Sequence, residues 1–175
     1  VLAPGAIERP LVFPDNDRPG IMLASACRSY LNRFAVRPGS KAVVVTNNES
    51  GYESALDMAA AGMQVAAVVD LRDGATGTLS DRAHDAGLRV IDCDLLAMSG
   101  GWNPSLHLFS QSRGKVRFDA ELGCFVPGAP AQAARNAGAC NGAFGLGECL
   151  TQGHAAGQDA AKDAGAKGGR KRGAA

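Results

Sequence analysis

Ala42-Val43-Val44-Val45-Thr46 is an unbroken apolar run, and a polar turn, a helical stretch and a second apolar run, Gln64 to Asp70, come after it. Runs this short and this apolar belong to strands covered on both faces, the condition of a parallel sheet. The intervening helix, expected from about Tyr52 to Ala61 with Gly62 as its stop, supplies the crossover. The segment therefore predicts a βαβ unit with a right-handed connection. The fold class that accommodates it is α/β, a partial Rossmann-like fold. Asp70 ends the second strand, where a dinucleotide fold often places a ribose-binding acid. The turn Thr46-Asn47-Asn48-Glu49-Ser50-Gly51 nevertheless lacks G-x-G-x-x-G and puts bulk and a negative charge where a pyrophosphate needs bare backbone. A vestigial nucleotide turn is expected here, with Asp70 ending its strand and capping the next segment.

A second glycine-rich turn lies late in the chain: Asn136-Ala137-Gly138-Ala139-Cys140-Asn141-Gly142-Ala143-Phe144-Gly145-Leu146. It runs straight into an apolar helix expected from Leu146 to about Ala161. Glycines at 138, 142 and 145 allow close approach of a bound group. The unpaired N–H groups and positive dipole end of the helix face the same spot. Two readings stay open on these residues alone: a cradle for a dinucleotide pyrophosphate, or a turn that only packs tightly against a sheet.

Other elements are legible more coarsely. Val1-Leu2-Ala3 reads as the end of a strand, and Pro4-Gly5 as a turn. Pro19 suits the first turn of a helix capped by Asp17 and running to about Phe34, with Met22, Leu23, Ala26, Cys27, Tyr30, Leu31 and Phe34 forming its apolar stripe. A helix is expected from about Leu79 to Ala86, and a strand from Leu88 to Val90. Ile91 to Ser99 reads as a buried strand. Leu106 to Phe109 predicts a helical turn, and Lys115–Asp119 with Cys124–Pro127 predict short strands or a hairpin.

Composition narrows the function. The 175 residues carry a formal charge of +1, which argues against a nucleic-acid partner. The only basic run, Lys167 to Arg172, sits in a Gly/Ala-rich tail and reads as a solvated end. No apolar run is long enough to cross a bilayer. The cysteines at 27, 93, 124, 140 and 149 are odd in number and irregularly spaced, without C-x-x-C, so reduced thiols in the cytoplasm are expected. Neither they nor His84, His107 and His154 have metal-ligand spacing, and no metal site is expected. No catalytic constellation is visible either. Cys140 could be a thiolate at a helix start, and His107 a base beside Trp102, but a packed thiol and a structural histidine are the favoured readings.

Several stretches carry a resemblance. Leu2-Ala3-Pro4-Gly5-Ala6-Ile7-Glu8-Arg9-Pro10, Asn16-Asp17-Arg18-Pro19-Gly20-Ile21-Met22-Leu23, Ser99-Gly100-Gly101-Trp102-Asn103-Pro104, His107-Leu108-Phe109-Ser110-Gln111-Ser112 and Gly138 to Leu146 resemble, in the same order, the α subunits of heterotetrameric sarcosine oxidases. Related α subunits of amino-acid and opine oxidases share much of the pattern. The resemblance reaches to about residue 162. It implies a pyridine nucleotide-disulfide oxidoreductase-like region in which 1–40 and 96–162 belong to an outer nucleotide-binding domain, 41–95 to a truncated inserted βαβ domain, and 163–175 to a disordered basic tail. It further implies NAD(+) in the outer domain, with FAD largely in the β subunit and FMN at the α–β contact. The parent complex, with β, γ and δ subunits, would demethylate sarcosine oxidatively to glycine, formaldehyde and hydrogen peroxide.

On that reading Gly5, Gly138, Ala139, Asn141, Gly142, Phe144 and Leu146 border the NAD(+) pocket, with Ala139, Phe144 and Leu146 nearest. The alternative is a non-catalytic scaffold with a decayed dinucleotide site. The chain departs from the family at Pro4, where threonine is usual, and lacks the first nucleotide strand with its glycine loop. The join Val90-Ile91 omits part of the inserted domain, and Val1 opens inside an apolar run, as expected of a piece of a longer protein. Weak or no NAD(+) binding is expected of this polypeptide alone.

Overall fold

The computed structural model describes residues 1–72 and 93–166. The helix expected over 79–86, the strand over 88–90 and the tail beyond 166 lie outside the described residues. The strands are β1 (Ala6–Glu8), β2 (Ile21–Leu23), β3 (Lys41–Thr46), β4 (Gln64–Asp70), β5 (Leu95–Ser99), β6 (Trp102–Pro104), β7 (Val116–Asp119) and β8 (Cys124–Pro127). The α-helices are α1 (Ala24–Phe34), α2 (Glu49–Ala60), α3 (His107–Gln111) and α4 (Leu146–Asp163), with a 3-10 turn at Gly138–Asn141. Contacts divide the chain into two compact units, Val1–Ile7 with Trp102 onward, and Glu8–Gly101. The boundaries expected at 40/41 and 95/96 both fall inside the second.

In the Glu8–Gly101 unit a four-stranded sheet runs in the order β2-β5-β3-β4, with every pairing parallel. The expected βαβ unit is β3-α2-β4. Its strands alternate between two apolar surfaces. Ala42, Val44, Val65, Leu95 and Ala97 pack with Ala24, Cys27 and Leu31 of α1 and Ala55 and Met58 of α2. Val43, Ala66 and Ala67, with Val45 and Val69, form a smaller cluster. Met58 and Leu95 are fully buried, each contributing about 2 kcal/mol of transfer free energy. A bulge between Ala42 and Val43 shifts the register with β4, pairing Val43 with Ala67 and leaving Ala66 unopposed.

The start of α1 corrects the expectation of a helix opening at Pro19 under an Asp17 cap. Gly20 holds φ +90, which ends any helical turn there, and Ile21-Met22-Leu23 continue as a strand beside β5, Met22 opposite Ala97. Helix begins only at Ala24. Its cap is a buried carboxylate from far upstream: Glu8 accepts a hydrogen bond from the Ser25 N–H at 2.9 Å. A negative group at this end is favoured by the helix dipole. Of the rest of the stripe, Cys27 and Leu31 are buried, and burial pushes the Cys27 thiol up to about 12, but Tyr30 and Phe34 are exposed, against expectation. Arg28 lies off the stripe and reaches α2, bonding Asp57 at 2.7 Å and Glu53 at 2.9 Å.

Helix α2 begins earlier than expected, at Glu49, because Asn48 caps it through the Ser50 N–H. Close helix–strand contact is possible because Gly51 has no side chain. A Cβ there would lie 2.3 Å from the Thr46 hydroxyl oxygen. At the other end of β3, Asp94 accepts from the Ser40 and Lys41 N–H groups at 2.9 and 2.8 Å. Those bonds, Lys41 first, hold its carboxyl below the usual range.

In the other unit β1 pairs with β6, and β7 with β8 form the expected antiparallel hairpin, Phe118 opposite Phe125. Phe109 of α3 is its largest fully buried side chain, seated over Gly114, where a Cβ would strike the ring at 2.4 Å. Leu2 makes an isolated parallel bridge to Asn136 rather than a strand.

Two outcomes are expected. Gly51→Ala should destabilise by about 1–3 kcal/mol through overpacking against Thr46, although helix propensity alone would favour alanine by about 1 kcal/mol. A rise in urea midpoint would contradict the packing argument. Asp94 has a folded pKa below its unfolded value, so its contribution is present above the ordinary carboxylate range, about pH 4, and lost as pH falls through the lowered value. Asp94→Asn should reduce the acid-induced fall in urea midpoint, and an unchanged acid slope would contradict the assignment.

Candidate functional site

The glycine-rich turn and the start of the chain come together in the unit formed by Val1–Ile7 and Trp102 onward. The Leu2 N–H donates to Arg135 O at 2.7 Å, and the Ala137 N–H donates back to Leu2 O at 3.0 Å. Gly5, at φ +78, accepts from the Ser105 N–H at 2.9 Å. Ala137 and Cys140 anchor the turn from within, both buried, and the Cys140 thiol donates to Ala137 O at 3.2 Å and Leu2 O at 3.4 Å. Burial raises the pKa of that thiol. It is a packed side chain, the reading the sequence favours over a thiolate.

Gly138 and Gly142 bracket the 3-10 turn at φ +77 and +83, values that disfavour any side chain. Gly142 is needed twice over, since a Cβ would lie 2.8 Å from Leu122 and 3.3 Å from Val126. Ala143 is wholly buried, and the Cys149 thiol donates to its carbonyl at 3.0 Å. Chain direction then changes at Gly145, an extended residue that starts α4 without a side-chain cap. The first N–H groups of α4 thus lack the side-chain partner that Glu8 gives α1 and Asn48 gives α2. Around them apolar side chains are exposed, Phe144 at 40%, Leu146 at 77% and Leu150 at 65%, and the exposed carboxylate of Glu148 lies in the same first turn.

Of the expected pocket residues, Gly138, Ala139, Asn141 and Gly142 form the turn, Phe144 and Leu146 its exposed rim, and Gly5 the adjoining segment. One residue escaped the sequence reading. Gln152, in the second turn of α4, accepts from the Gly138 N–H at 3.1 Å and from the Asn141 side-chain amide at 3.2 Å. A lone glutamine on a helix carries no local signal; only the fold shows that it holds both ends of the turn.

The remaining candidates separate. His107 is exposed at the start of α3, beside a shallow groove lined by Ile7, Asn103, Leu106 and Phe125. Asp70 binds the Tyr52 hydroxyl at 2.9 Å and the Arg72 guanidinium at 2.6 Å. Burial pushes its carboxyl up, but Arg72 and Tyr52 hold it below the ordinary value. Among the described residues no group of three or more His, Cys, Asp and Glu could hold a metal, and no helix is long and apolar enough to cross a membrane.

Gln152→Ala should speed exchange of the Gly138 amide about fivefold, the loss of one hydrogen bond worth about 1 kcal/mol. An unchanged rate would show that Gln152 does not hold the turn.

No protein-family model matches the chain. It is 40% identical to sarcosine oxidase subunit alpha of Corynebacterium sp. (strain P-1) over 201 residues, covering 94% of this chain and 21% of that protein. The subunits alpha of Corynebacterium sp. (strain U-96) and Rhizobium meliloti (strain 1021) are 39% and 38% identical, each over 89% of this chain and 20% and 18% of their own lengths. The first alignment is longer than the chain itself, so that relative carries positions for which this chain has no counterpart. A crystal structure of L-proline dehydrogenase from P. horikoshii superposes with a TM-score of 0.66 at 20% identity, covering 95% of this chain and 34% of that one, a likeness of fold. The chain spans about a fifth of the curated relatives it matches, and over nearly all of its own length it is homologous to that portion of sarcosine oxidase subunit alpha.

Proposed function

We propose that this chain contributes one wall of an NAD(+) site in the α subunit of a flavin-dependent sarcosine oxidase. The observation that carries the reading is the N-terminus of α4. It has no side-chain cap and comes after a turn that carries two positive-φ glycines and is itself bonded to Leu2 in the segment that ends at Gly5. Such a terminus offers N–H donors and a partial positive charge to a pyrophosphate. Gly145 leaves room for it, since a Cβ there would meet nothing within 4 Å. Phosphate would then lie against Gly145 and Leu146, with Gly138 to Gly142 and Gly5 beside it, while Phe144 and Leu146 offer apolar surface to a ring of the ligand.

The chain's own residues bind and orient in this proposal; none transfers electrons. NAD(+) would be held here, and the amine oxidation, yielding glycine, formaldehyde and hydrogen peroxide, would take place at FAD and FMN in the parent complex with β, γ and δ subunits. We place that complex in the cytoplasm, where the five free thiols stay reduced. A second reading, a scaffold segment with a decayed site, is favoured by the two leucines at the head of α4, Leu146 and Leu150, one helical turn apart and both exposed. Apolar surface of this kind suits a subunit contact.

The test is an amide chemical-shift titration of the chain with NAD(+). Weak, saturable shifts confined to Gly5 and Gly138–Leu146 are expected, with an affinity in the millimolar range, about −4 kcal/mol. Shifts confined to other regions, or none at all, would favour the scaffold reading.

A further inference from the structure

We infer that Asn48 shuts the nucleotide-type crevice of the Glu8–Gly101 unit by bringing from its own side chain the acceptor that a phosphate would bring to α2. The inference is independent of the turn at 138–146. Strand β3 lies between β4 and β5, so the chain leaves β3 toward one side and later returns on the other. Such reversal points, at the carboxyl ends of parallel strands, are where open α/β sheets take their ligands. The end of β3 here is Thr46, the end of β5 is Ser99, and the turn Thr46 to Gly51 leads into α2.

Spacing within that turn is the spacing of a dinucleotide loop with two of its three glycines replaced. Gly51 stands at the third place and serves the purpose glycine serves there, bringing helix against strand at the Thr46 side chain. Thr46 and Asn48 stand at the first and second. Thr46 is wholly buried, its hydroxyl donating to Asn48 O at 2.8 Å and accepting from the Asn48 N–H at 3.1 Å. The loop is thereby tied to its own strand.

Asn48 then completes the closure. Its side-chain oxygen accepts from the Ser50 N–H at 3.1 Å, a donor at the start of α2 that an anion would otherwise use. Its side-chain nitrogen donates to the Ser99 hydroxyl at 3.0 Å and the Ser99 carbonyl at 3.2 Å. The amide thus spans from the head of α2 to the end of β5, across the place a pyrophosphate would need. Asp70, at the ribose end, is already engaged by Tyr52 and by Arg72, whose guanidinium also reaches Glu49 at 2.8 Å. Polar groups along the crevice are satisfied by one another, and a ligand would have to break those bonds to enter.

The experiment is an amide-shift titration of the full chain with inorganic pyrophosphate, in the wild type and in Asn48→Gly. In the wild type, Ser50, Gly51 and Ser99 should not move at concentrations up to about 10 mM, a range that would reveal binding of only a few kcal/mol. In Asn48→Gly, folding checked by the amides of Val44 and Ala97, the Ser50 and Gly51 signals should shift saturably. Wild-type shifts at those amides would overturn the inference, and so would a folded Asn48→Gly that does not respond. Should that variant not fold, Ser99→Ala decides: loss of the hydroxyl half of the Asn48 anchor should speed Ser50 amide exchange about fivefold, and an unchanged rate would overturn it.

Discussion

The Glu8–Gly101 unit depends on β3 having both edges hydrogen-bonded at once, and short side chains at each end of the strand hold it there. At its start the Asp94 carboxylate grips two successive N–H groups, Ser40 and Lys41, just before its own strand β5 begins. At its finish Asn48 and the Asn47 N–H both bond the Ser99 carbonyl, where β5 ends. The β3–β5 register, Ala42 to Leu95 through Thr46 to Ser99, is therefore tied at both ends by polar contacts of long sequence separation. A slip of one residue would break both ties and turn the side chains of the strand that moved, Val44 in β3 or Ala97 in β5, to the opposite face. The apolar interior supplies the driving force, but these ties select the register.

How much of the fold is legible in the sequence depends on how local each cause is. The strands at 42–46 and 64–70 are legible because a short run apolar on both faces has few other uses. So are the Gly62 stop and the hairpin at 116–127. The strand Ile21–Leu23 is not, because Met22 and Leu23 fit the helical stripe of α1 equally well, and the element that decides between them is β5, more than seventy residues away. Glu8 as the cap of α1 is hidden for the same reason. A capping acid is sought beside the helix, and this one arrives from a different strand.

The candidate site divides along the same line. Its glycines are legible because positive φ and close packing are demands on a single residue, and the structure shows both at Gly142. Gln152 is not, since its value lies only in reaching back across fourteen residues to Gly138. The apolar exposure of Leu146 and Leu150 is also beyond the periodicity. Their helical spacing signals an apolar face but does not say whether that face is covered in this stretch of chain.

Among the described residues three helices of eleven residues or more begin, and the contrast among their first turns gives the site reading its physical basis. The head of α1 is neutralised by a buried carboxylate. The head of α2 is closed by an asparagine that is itself locked to the neighbouring strand. Each arrangement satisfies helix donors at the cost of ordering a polar side chain, and each leaves nothing for a ligand. The head of α4 begins at Gly145 with no side chain bonded to its first N–H groups, although Glu148 places a carboxylate in its first turn. Glycine at an N-cap costs only a few tenths of a kcal/mol against the best capping residues, and water meets the exposed donors, so this helix end is left open at little cost in stability. A dinucleotide phosphate, as proposed, would have only water to displace from those donors, where at α1 and α2 it would have to displace a side chain.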